Sequence, residues 1–494
     1  MARDGALDPN LRPSALQRFL MLHNPSSPRS IIIVGGGFAG AVTAIKLLDR
    51  STEPLAITII ERRAQLGRGV AYSTVDPQHL VNGAARIFSL HPDDPDHLVR
   101  WLVANGPEHG WTPPEDVPDS SPPRWLFGSY VQSELTRAVR EADGRSSLRH
   151  VKASAIDMLT GPSGVCVGTS DGQQLLADEV VLATGVFQSE PSATEAAIVS
   201  DPRYVANPWD AAALDRLASG KQLLLIGSSL SMVDVVASME ARGFEGGYRV
   251  VSRRGQLVEP RRNTEAWRDF LAGRPLPKTA RTLLALVKAE RRAIEAAGLD
   301  WQGLPLTIRP WILALWRGAT DRERLKFARH LRAFWDVTAH RAAPPSFERV
   351  ALARNQGRWT GGAGRVLALH PEAGGISAEI RWRDSGVVER LRFDGVVNCR
   401  GHQEHDWRRI ADPFVHSLLE NGIVRPHATG FGIDATHDGQ VISRDGRTHG
   451  NLFAIGHPLR GIAWESSSIS EQLAQAIALA GLLVGASPRL RALA

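Results

Sequence analysis

Cysteine is scarce in this chain, which has two among 494 residues, Cys166 and Cys399. The two lie far apart in sequence and form no C-x-x-C pair, so the sequence offers no neighbouring dithiol for a thiol relay. We predict that both are small buried packing residues. A redox function that depends on such a relay is therefore not supported.

Long apolar runs are also missing, since none reaches the roughly 20 residues that span a bilayer. A short apolar patch at Phe19–Leu22 is followed by polar residues and lacks the order of a signal peptide. We expect residues 1–29 to form a flexible extension, the protein to be cytoplasmic, and no membrane to be a partner. The length predicts two or three domains.

A strong excess of one charge is absent as well, because 58 Lys and Arg residues face 52 Asp and Glu residues. The net charge of +6 is modest for this length. Phosphate-bearing cofactors would use some of the arginines, so nucleic acid is not an expected partner. The oligomeric state is left open.

Glycine residues, in contrast, form a recognisable motif near the start of the chain. The apolar run Ile31–Val34 predicts a buried strand, and Gly35, Gly37 and Gly40 follow as G-x-G-x-x-G before a helical pattern. The first glycine permits a tight turn, the second a close approach of a pyrophosphate, and the third close packing of helix on strand. This arrangement predicts a dinucleotide site.

An acidic residue stands at the place this interpretation requires. A second apolar run, residues 56–60, ends in Glu61, about 20 residues after the last glycine. Its carboxylate can accept hydrogen bonds from ribose hydroxyls. The alternative is a glycine-rich turn in an α/β domain that binds no ligand.

Strand-like alternation follows from residue 148 to 185, with a hairpin turn predicted at Asp171-Gly172. The apolar strand 179–182 then ends in Ala183-Thr184-Gly185. We interpret the segment as a β-meander and a closing strand. Helices are predicted before it at 97–104 and 129–142.

A second strand, turn, helix and strand follow a predicted linker at residues 201–210. Only the first glycine of the turn is kept, at Gly227, and the second strand ends in Ser252-Arg253-Arg254 rather than in an acid. Basic residues there suit a 2′-phosphate, so this unit is predicted to prefer NADPH to NADH. By elimination, the first glycine turn is predicted to bind FAD. Exposed arginines at a strand end are the alternative.

Residues 259–341 lack alternation and are rich in Arg and Trp, which predicts a helical insertion. It could line an anionic substrate pocket or simply pack on its tryptophans. Strands are predicted to return at 350–353, 365–370, 377–383 and 389–393, with a closing strand before Gly401. The first module would thus occur twice. A last strand at 450–455 and a helix at 466–483 would complete the flavin site.

Several motifs jointly resemble the bacterial FAD-NAD(P)-binding family over most of the chain. They include Asp76-Pro77-x-His79-Leu80-x-Asn82, Ser231-Met232-Val233-Asp234 and Arg460-Gly461-x-x-Trp464-Glu465. Relatives usually have Thr at Arg400 and often Asp at His457. In layout the family resembles the N-hydroxylating flavin monooxygenases.

The resemblance implies an α/β fold with two Rossmann-like dinucleotide-binding domains, the glutathione-reductase-like FAD/NAD(P)-binding fold, with a helical insertion in the second. We predict an FAD domain at 30–201 and 402–494, and an NADPH domain at 202–401 that includes the insertion at 259–345. Predicted FAD contacts are Gly35, Gly37, Phe38, Ala39, Gly40, Glu61, Arg62, Tyr72, Asn82, Ala153, Thr184, Gly185, Gly456, His457 and Ser468. Predicted NADPH contacts are Gly227, Ser228, Ser229, Ser231, Ser252, Arg253 and Arg254.

The leading hypothesis is an FAD-dependent, NADPH-using monooxygenase that forms a flavin hydroperoxide and oxygenates a small nucleophile, an amine or amino acid, with O2. Candidate catalytic residues are His79, Asn82 and His457, with loop packing as the alternative for each. An NADPH-dependent reductase acting on a quinone or another small acceptor is the first rival. A basic RNA- or partner-binding flavoprotein is the second. His402-x-x-His405 is not expected to bind metal.

Overall fold

The computed structural model describes residues 28–161, 164–402 and 406–485. All but the end of the extension predicted at residues 1–29 lies outside these ranges. The described residues form two compact units. Unit 1 comprises residues 28–70, 128–187 and 406–485, and unit 2 comprises residues 71–127 and 188–402.

The described strands are β1 (Arg29–Val34), β2 (Leu55–Ile60), β3 (Ser147–Val151), β4 (Ala155–Gly161), β5 (Gly164–Thr169), β6 (Gln174–Ala177), β7 (Glu179–Leu182), β8 (Tyr204–Val205), β9 (Gln222–Ile226), β10 (Gly247–Ser252), β11 (Trp359–Glu372), β12 (Gly375–Trp382), β13 (Val388–Phe393), β14 (Gly395–Asn398), β15 (Gln440–Ile442) and β16 (Thr448–Ala454).

The described α-helices are α1 (Phe38–Arg50), α2 (His97–Asn105), α3 (Arg124–Glu141), α4 (Ala211–Leu217), α5 (Leu230–Ala241), α6 (Ala280–Ala296), α7 (Gly303–Ile308), α8 (Ile312–Gly318), α9 (Asp321–Lys326), α10 (Arg332–Ala339), α11 (Pro344–Asn355), α12 (Pro413–Glu420) and α13 (Ile469–Gly485). A π-helical turn, Phe327–Leu331, precedes α10.

The sheet of unit 1 has the order β15-β16-β7-β1-β2-β3. Its central strands are parallel, and Val34 lies in register with Ile60 on one side and Leu182 on the other. One face packs against the separate sheet β4-β5-β6 and helix α12, where Met158 and Phe414 join the core. The carboxyl ends of β1, β2 and β7 therefore lie side by side, as a dinucleotide site requires.

The sheet of unit 2 has the order β13-β12-β11-β10-β9-β14-β8. Strand β11 belongs to two pairings, because residues 359–363 run parallel to β10 and residues 364–372 run antiparallel to β12. The strands β11–β13 thus continue the main sheet, whereas β4–β6 form a sheet of their own. The predicted duplication of one module holds for the nucleotide-binding halves but is wrong for the meanders.

Two local predictions are wrong. Residues 350–353 were expected to be a strand but lie in helix α11, where Val350 and Ala353 are buried three positions apart on one helical face. A short apolar run cannot by itself distinguish the two structures. The predicted linker at 201–210 contains strand β8, which pairs with β14.

The helical insertion is confirmed, although its regular helices begin only at α6. Helices α6 to α8 enclose a small core of their own around Leu271, Leu304 and Ile308, against which Trp267 and Trp335 pack. In the part of the chain that the structure describes, no helix combines the length and apolar character needed to cross a membrane.

The predicted domain boundaries placed residues 71–127 with the FAD domain. In the structure this segment belongs to unit 2. Side-chain hydrogen bonds and an ion pair to helix α5 hold it there, as described below. The assignment of one cofactor to each domain stays a prediction at this point.

Candidate functional site

Two glycines of the first turn, Gly35 and Gly40, leave no room for a side chain. Gly35 has φ +106°, and a Cβ there would lie 2.2 Å from the carbonyl oxygen of Ala183. A Cβ on Gly40 would lie 2.0 Å from the carbonyl oxygen of Gly35. At Gly37 the nearest atom to a Cβ would be the Cα of Gly69, 3.3 Å away. Gly35 and Gly40 therefore allow the close packing of strand, turn and helix that a dinucleotide motif requires.

The amino end of helix α1 is available to an anion. Gly37 is its N-cap, no side chain caps it, and its first turn holds no acidic residue. Free N–H groups and the positive end of the helix dipole favour phosphate at such a place. The predicted contacts Phe38 and Ala39 form the first buried residues of this helix.

Glu61 lies directly after β2 and contacts the first glycine turn. Its carboxylate is buried and accepts hydrogen bonds from the backbone N–H of Gly36 at 3.1 Å and of Arg63 at 2.9 Å. A carboxylate has about four acceptor positions, so capacity remains for a ribose hydroxyl. The neighbouring Arg62 is exposed and points to no partner among the described residues.

Two buried hydroxyl groups in unit 1 have no hydrogen-bond partner among the described residues. They are the Oγ1 of Thr184, after strand β7, and the Oγ of Ser466, before helix α13. Buried polar atoms are rarely left unsatisfied, so each calls for a partner from a bound molecule or water. Beside Thr184, Gly185 has φ +69° and open space where a side chain would be. Both observations fit a bound cofactor.

The other predicted contacts of unit 1 surround the same turn. A Cβ on Gly456 would lie 3.3 Å from the Cβ of Ala39, which brings the turn after β16 to the start of α1. His457 follows, half-buried, in a short 3-10 helix. The hydroxyl of Ser468 accepts a hydrogen bond from the N–H of Glu471, in the first turn of α13, at 3.3 Å. Ala153, also a predicted contact, is buried just after β3.

Three predicted residues lie in unit 2 instead: Tyr72, His79 and Asn82. Tyr72 is buried and packs edge-on against Phe127, with ring centroids 4.9 Å apart. Asn82 is half-buried. The predicted cofactor contacts of Tyr72 and Asn82 stay predictions.

His79 is fully buried, and both ring nitrogens are engaged. Its Nδ1 lies 2.6 Å from the hydroxyl of Thr74, and its Nε2 lies 2.9 Å from the hydroxyl of Ser238. The carboxylate of Asp76 accepts hydrogen bonds from Ser238 and, at 2.8 Å, from Arg242. These contacts join the loop of His79 to helix α5, and its predicted catalytic role stays a prediction.

A buried ion pair also joins segment 71–127 to α5, one helical turn before Ser238. Arg124 donates to both carboxylate oxygens of Asp234, at 2.7 Å and 3.1 Å. The indole N–H of Trp209 donates to the same carboxylate at 2.9 Å, and Arg124 also donates to the carbonyl of Leu80. The motif residues Asp76, His79 and Asp234 thus hold segment 71–127 on α5.

The burial of His79 predicts a pH-dependent stability. Burial lowers its pKa below the ordinary 6.5, an effect larger than those of Asp76, Asp234, Arg124 and Arg242. The unfolded chain then binds a proton more readily than the folded one, so the free energy of unfolding should fall as pH drops below 6.5. We expect urea unfolding to show this loss of stability between about pH 7 and pH 5. In His79→Gln, the free energy of unfolding should depend less on pH over this range. An equally steep loss in the variant would contradict the assignment.

The second turn, in unit 2, repeats the geometry of the first with fewer glycines. Gly227 has φ +120°, and a Cβ there would lie 2.3 Å from the carbonyl oxygen of Cys399. Ser229 is the N-cap of α5 and its side chain does not cap the helix. Ser228 donates to the carbonyl of Gln256, while Ser231 is half-buried in the first turn.

The predicted phosphate-binding residues follow β10, the strand next to this turn. The N–H of Gly227 donates to the carbonyl of Val251 at 2.9 Å, so Ser252, Arg253 and Arg254 continue directly beside the turn. Arg253 is exposed and Arg254 is half-buried. Among the described residues no carboxylate pairs with either arginine. The hydroxyl of Ser252 accepts from the N–H of Gly255.

The two cysteines are buried and free of disulfides. Cys166 is in unit 1 and Cys399 in unit 2, and burial raises the pKa of both thiols. Neither is poised as a thiolate, which agrees with the absence of a dithiol relay.

Arg400, where the family resemblance implies Thr, pairs with a buried carboxylate. It forms an ion pair with Glu195, which is 1% exposed and also accepts a hydrogen bond from the hydroxyl of Tyr204 at 2.6 Å. The ring of His402 lies 5.2 Å from that of Trp209. His405, the second residue of the possible metal motif, lies outside the described residues.

Residues 32–187 match the model of a family described as FAD-NAD(P)-binding. The match covers the first glycine turn, Glu61 and the closing strand, and it agrees with the predicted resemblance of this segment to that family. Uncharacterized proteins of Mycobacterium tuberculosis and Mycobacterium bovis are 24% identical over 474 residues, covering 83% of this chain and 86% of theirs.

Solved structures resemble the fold over most of the chain. An ornithine N-hydroxylase of Kutzneria sp. 744, described with reduced FAD, NADP+ and L-ornithine, has a TM-score of 0.62 at 14% identity and covers 92% of this chain and 99% of its own. A cadaverine monooxygenase of Erwinia amylovora, bound to FAD, has a TM-score of 0.63 at 13% identity, covering 93% and 95%. L-lysine 6-monooxygenase of Pseudomonas syringae has a TM-score of 0.58 at 17% identity, covering 92% and 99%. The predicted fold class is confirmed.

Proposed function

We propose that the protein is an FAD-dependent, NADPH-using monooxygenase that N-hydroxylates a small amine or amino acid. The observation that carries the proposal is a pair of uncapped helix N-termini, α1 and α5, in separate units of one chain, each preceded by a turn that begins with a glycine of positive φ. The fold shared with ornithine, lysine and cadaverine monooxygenases supports it.

Unit 1 would hold FAD. The backbone at Gly37 and the N–H groups of α1 would bind the pyrophosphate, and Glu61 the adenosine ribose. The unsatisfied hydroxyls of Thr184 and Ser466 would supply hydrogen bonds to the rest of the molecule. When bound, FAD supplies the oxygen-activating chemistry, while the protein orients the reactants and excludes water.

Unit 2 would hold NADPH. The uncapped helix α5 would bind its pyrophosphate, and Arg253 and Arg254 its 2′-phosphate. An acid that could hold a free 2′-hydroxyl is missing at this strand end. Unit 2 should accordingly bind NADPH in preference to NADH.

The proposal predicts tight coupling of NADPH oxidation to oxygen transfer when the right substrate is present. The purified protein should show a flavin spectrum, and a panel of amines and amino acids should contain one that accelerates NADPH oxidation. With labelled O2, one oxygen atom should enter the product and the other should leave as water. Release of peroxide alone with every substrate would exclude a monooxygenase and favour the reductase.

A further inference from the structure

The helical insertion contributes one side chain beside the predicted 2′-phosphate site. The guanidinium carbon of Arg254 lies 4.7 Å from the ring centroid of Phe334, in helix α10. Phe334 is 48% exposed although its neighbours in this helix include Arg332 and Asp336. The ring of Phe334 thus lies against the guanidinium of Arg254 while nearly half of the side chain stays exposed.

The next residue fixes the helix in place. Trp335 packs against the core of the insertion, which includes Leu271 and Leu304. The π-helical turn Phe327–Leu331, directly before α10, interrupts the regular helix at this point. Such turns are frequent at functional sites. The ring of Phe334 is thereby held by a packed helix rather than by a loop.

The contact with Phe334 leaves the N–H donors of Arg254 unused. A guanidinium presents its face to an aromatic ring and keeps its five N–H donors at the edge, where they match a phosphate. Among the described residues, none of these donors of Arg254 makes a hydrogen bond, and no carboxylate pairs with it. The side chain is therefore oriented and still has its donors available.

We propose that Phe334 is a specificity-determining residue, which holds Arg254 in the plane that receives the 2′-phosphate of NADPH. The inference rests on the proposed function, because it takes unit 2 as the NADPH site. It assigns to the helical insertion a role in cofactor choice. Since Arg has several rotatable bonds, holding it in advance lowers the entropy lost on binding.

The test distinguishes binding of the 2′-phosphate from binding of the rest of the nucleotide. Calorimetric titration of the full-length protein with 2′,5′-ADP and with 5′-AMP compares ligands that differ in this phosphate. Phe334→Ala and Phe334→Leu should each weaken 2′,5′-ADP binding about two- to fivefold and leave 5′-AMP unchanged, because a cation–π contact contributes modestly at exposed sites. Phe334→Tyr, which keeps the ring, should bind both ligands like the parent protein.

Two further variants complete the design. Leu325→Ala removes another exposed apolar side chain of the insertion and should change neither affinity. Arg254→Ala should weaken 2′,5′-ADP binding about ten- to a hundredfold. Thermal unfolding of each variant checks that it is folded, and Phe334→Leu keeps the apolar contact if the alanine variant is unstable.

The outcomes distinguish the two proposals. If the leucine and alanine variants bind 2′,5′-ADP like the parent protein, or lose both ligands equally, Phe334 does not select the phosphate. If the parent protein binds 2′,5′-ADP no better than 5′-AMP and Arg254→Ala has no effect, the assignment of NADPH to unit 2 fails instead.

Discussion

Replacement of Gly37 by alanine is expected to give a folded protein that is purified with less FAD than the parent protein. The backbone at Gly37 has φ −71° and ψ −164°, which alanine adopts without strain. The closest neighbour of the new methyl group would be the Cα of Gly69 at 3.3 Å, in a loop that needs to move by only a few tenths of an ångström. The methyl group would, however, stand where the proposed site would receive the pyrophosphate of FAD at the start of α1.

We expect FAD affinity to fall at least about tenfold, which corresponds to about 1.4 kcal/mol or more. The measurement is the ratio of flavin to protein absorbance after purification, followed by titration of the apoprotein with FAD. Gly35 is unsuitable for this test, because its left-handed backbone and the nearby carbonyl of Ala183 would oppose folding itself.

Gly450 offers a matched control in the same unit. It is exposed, and nothing lies within 4 Å of the position its Cβ would take. Gly450→Ala should retain the flavin content of the parent protein. A Gly37→Ala protein with full flavin content would show that the first turn does not bind the pyrophosphate.

The second large effect is expected at Asp234. The side chains of Asp234 and Arg124 are 4% and 9% exposed, so Asp234→Ala would leave a buried guanidinium without its counter-charge. Removal of one partner of a buried pair typically costs about 3–5 kcal/mol. Trp209 would also lose its hydrogen-bond acceptor. We expect the urea concentration at the unfolding midpoint of unit 2 to fall clearly. The measurement is the change in tryptophan fluorescence as urea is added.

Two control variants accompany Asp234→Ala. The double variant Arg124→Met with Asp234→Leu removes both charges and should recover most of the lost stability, because apolar replacement of a buried pair is often near neutral. Glu295→Ala breaks an exposed pair with Arg291 and should change stability by less than about 0.5 kcal/mol. Unfolding of Asp234→Ala at the parental midpoint would show that the pair does not hold segment 71–127.

The buried pair also shows where sequence reasoning was incomplete. Asp76, His79 and Asp234 belong to the motifs that resemble the FAD-NAD(P)-binding family, and His79 is also a predicted catalytic residue. Their partners lie far along the chain, with 110 positions between Arg124 and Asp234 and 162 between Asp76 and Ser238. Periodicity and spacing report local structure only, so they do not predict that segment 71–127 is held on α5.

Sequence alone was enough to predict the two glycine turns, the strands and helices around them, Glu61, and the basic residues after β10. These features are local, because a turn with positive φ, a helix start or a strand end is set by residues within a few positions of each other. The folded structure was needed to show that segment 71–127 belongs to unit 2, that β11–β13 extend its main sheet, and that Phe334 contacts Arg254. Those contacts depend on which distant side chains complement each other in charge and shape after the chain has folded.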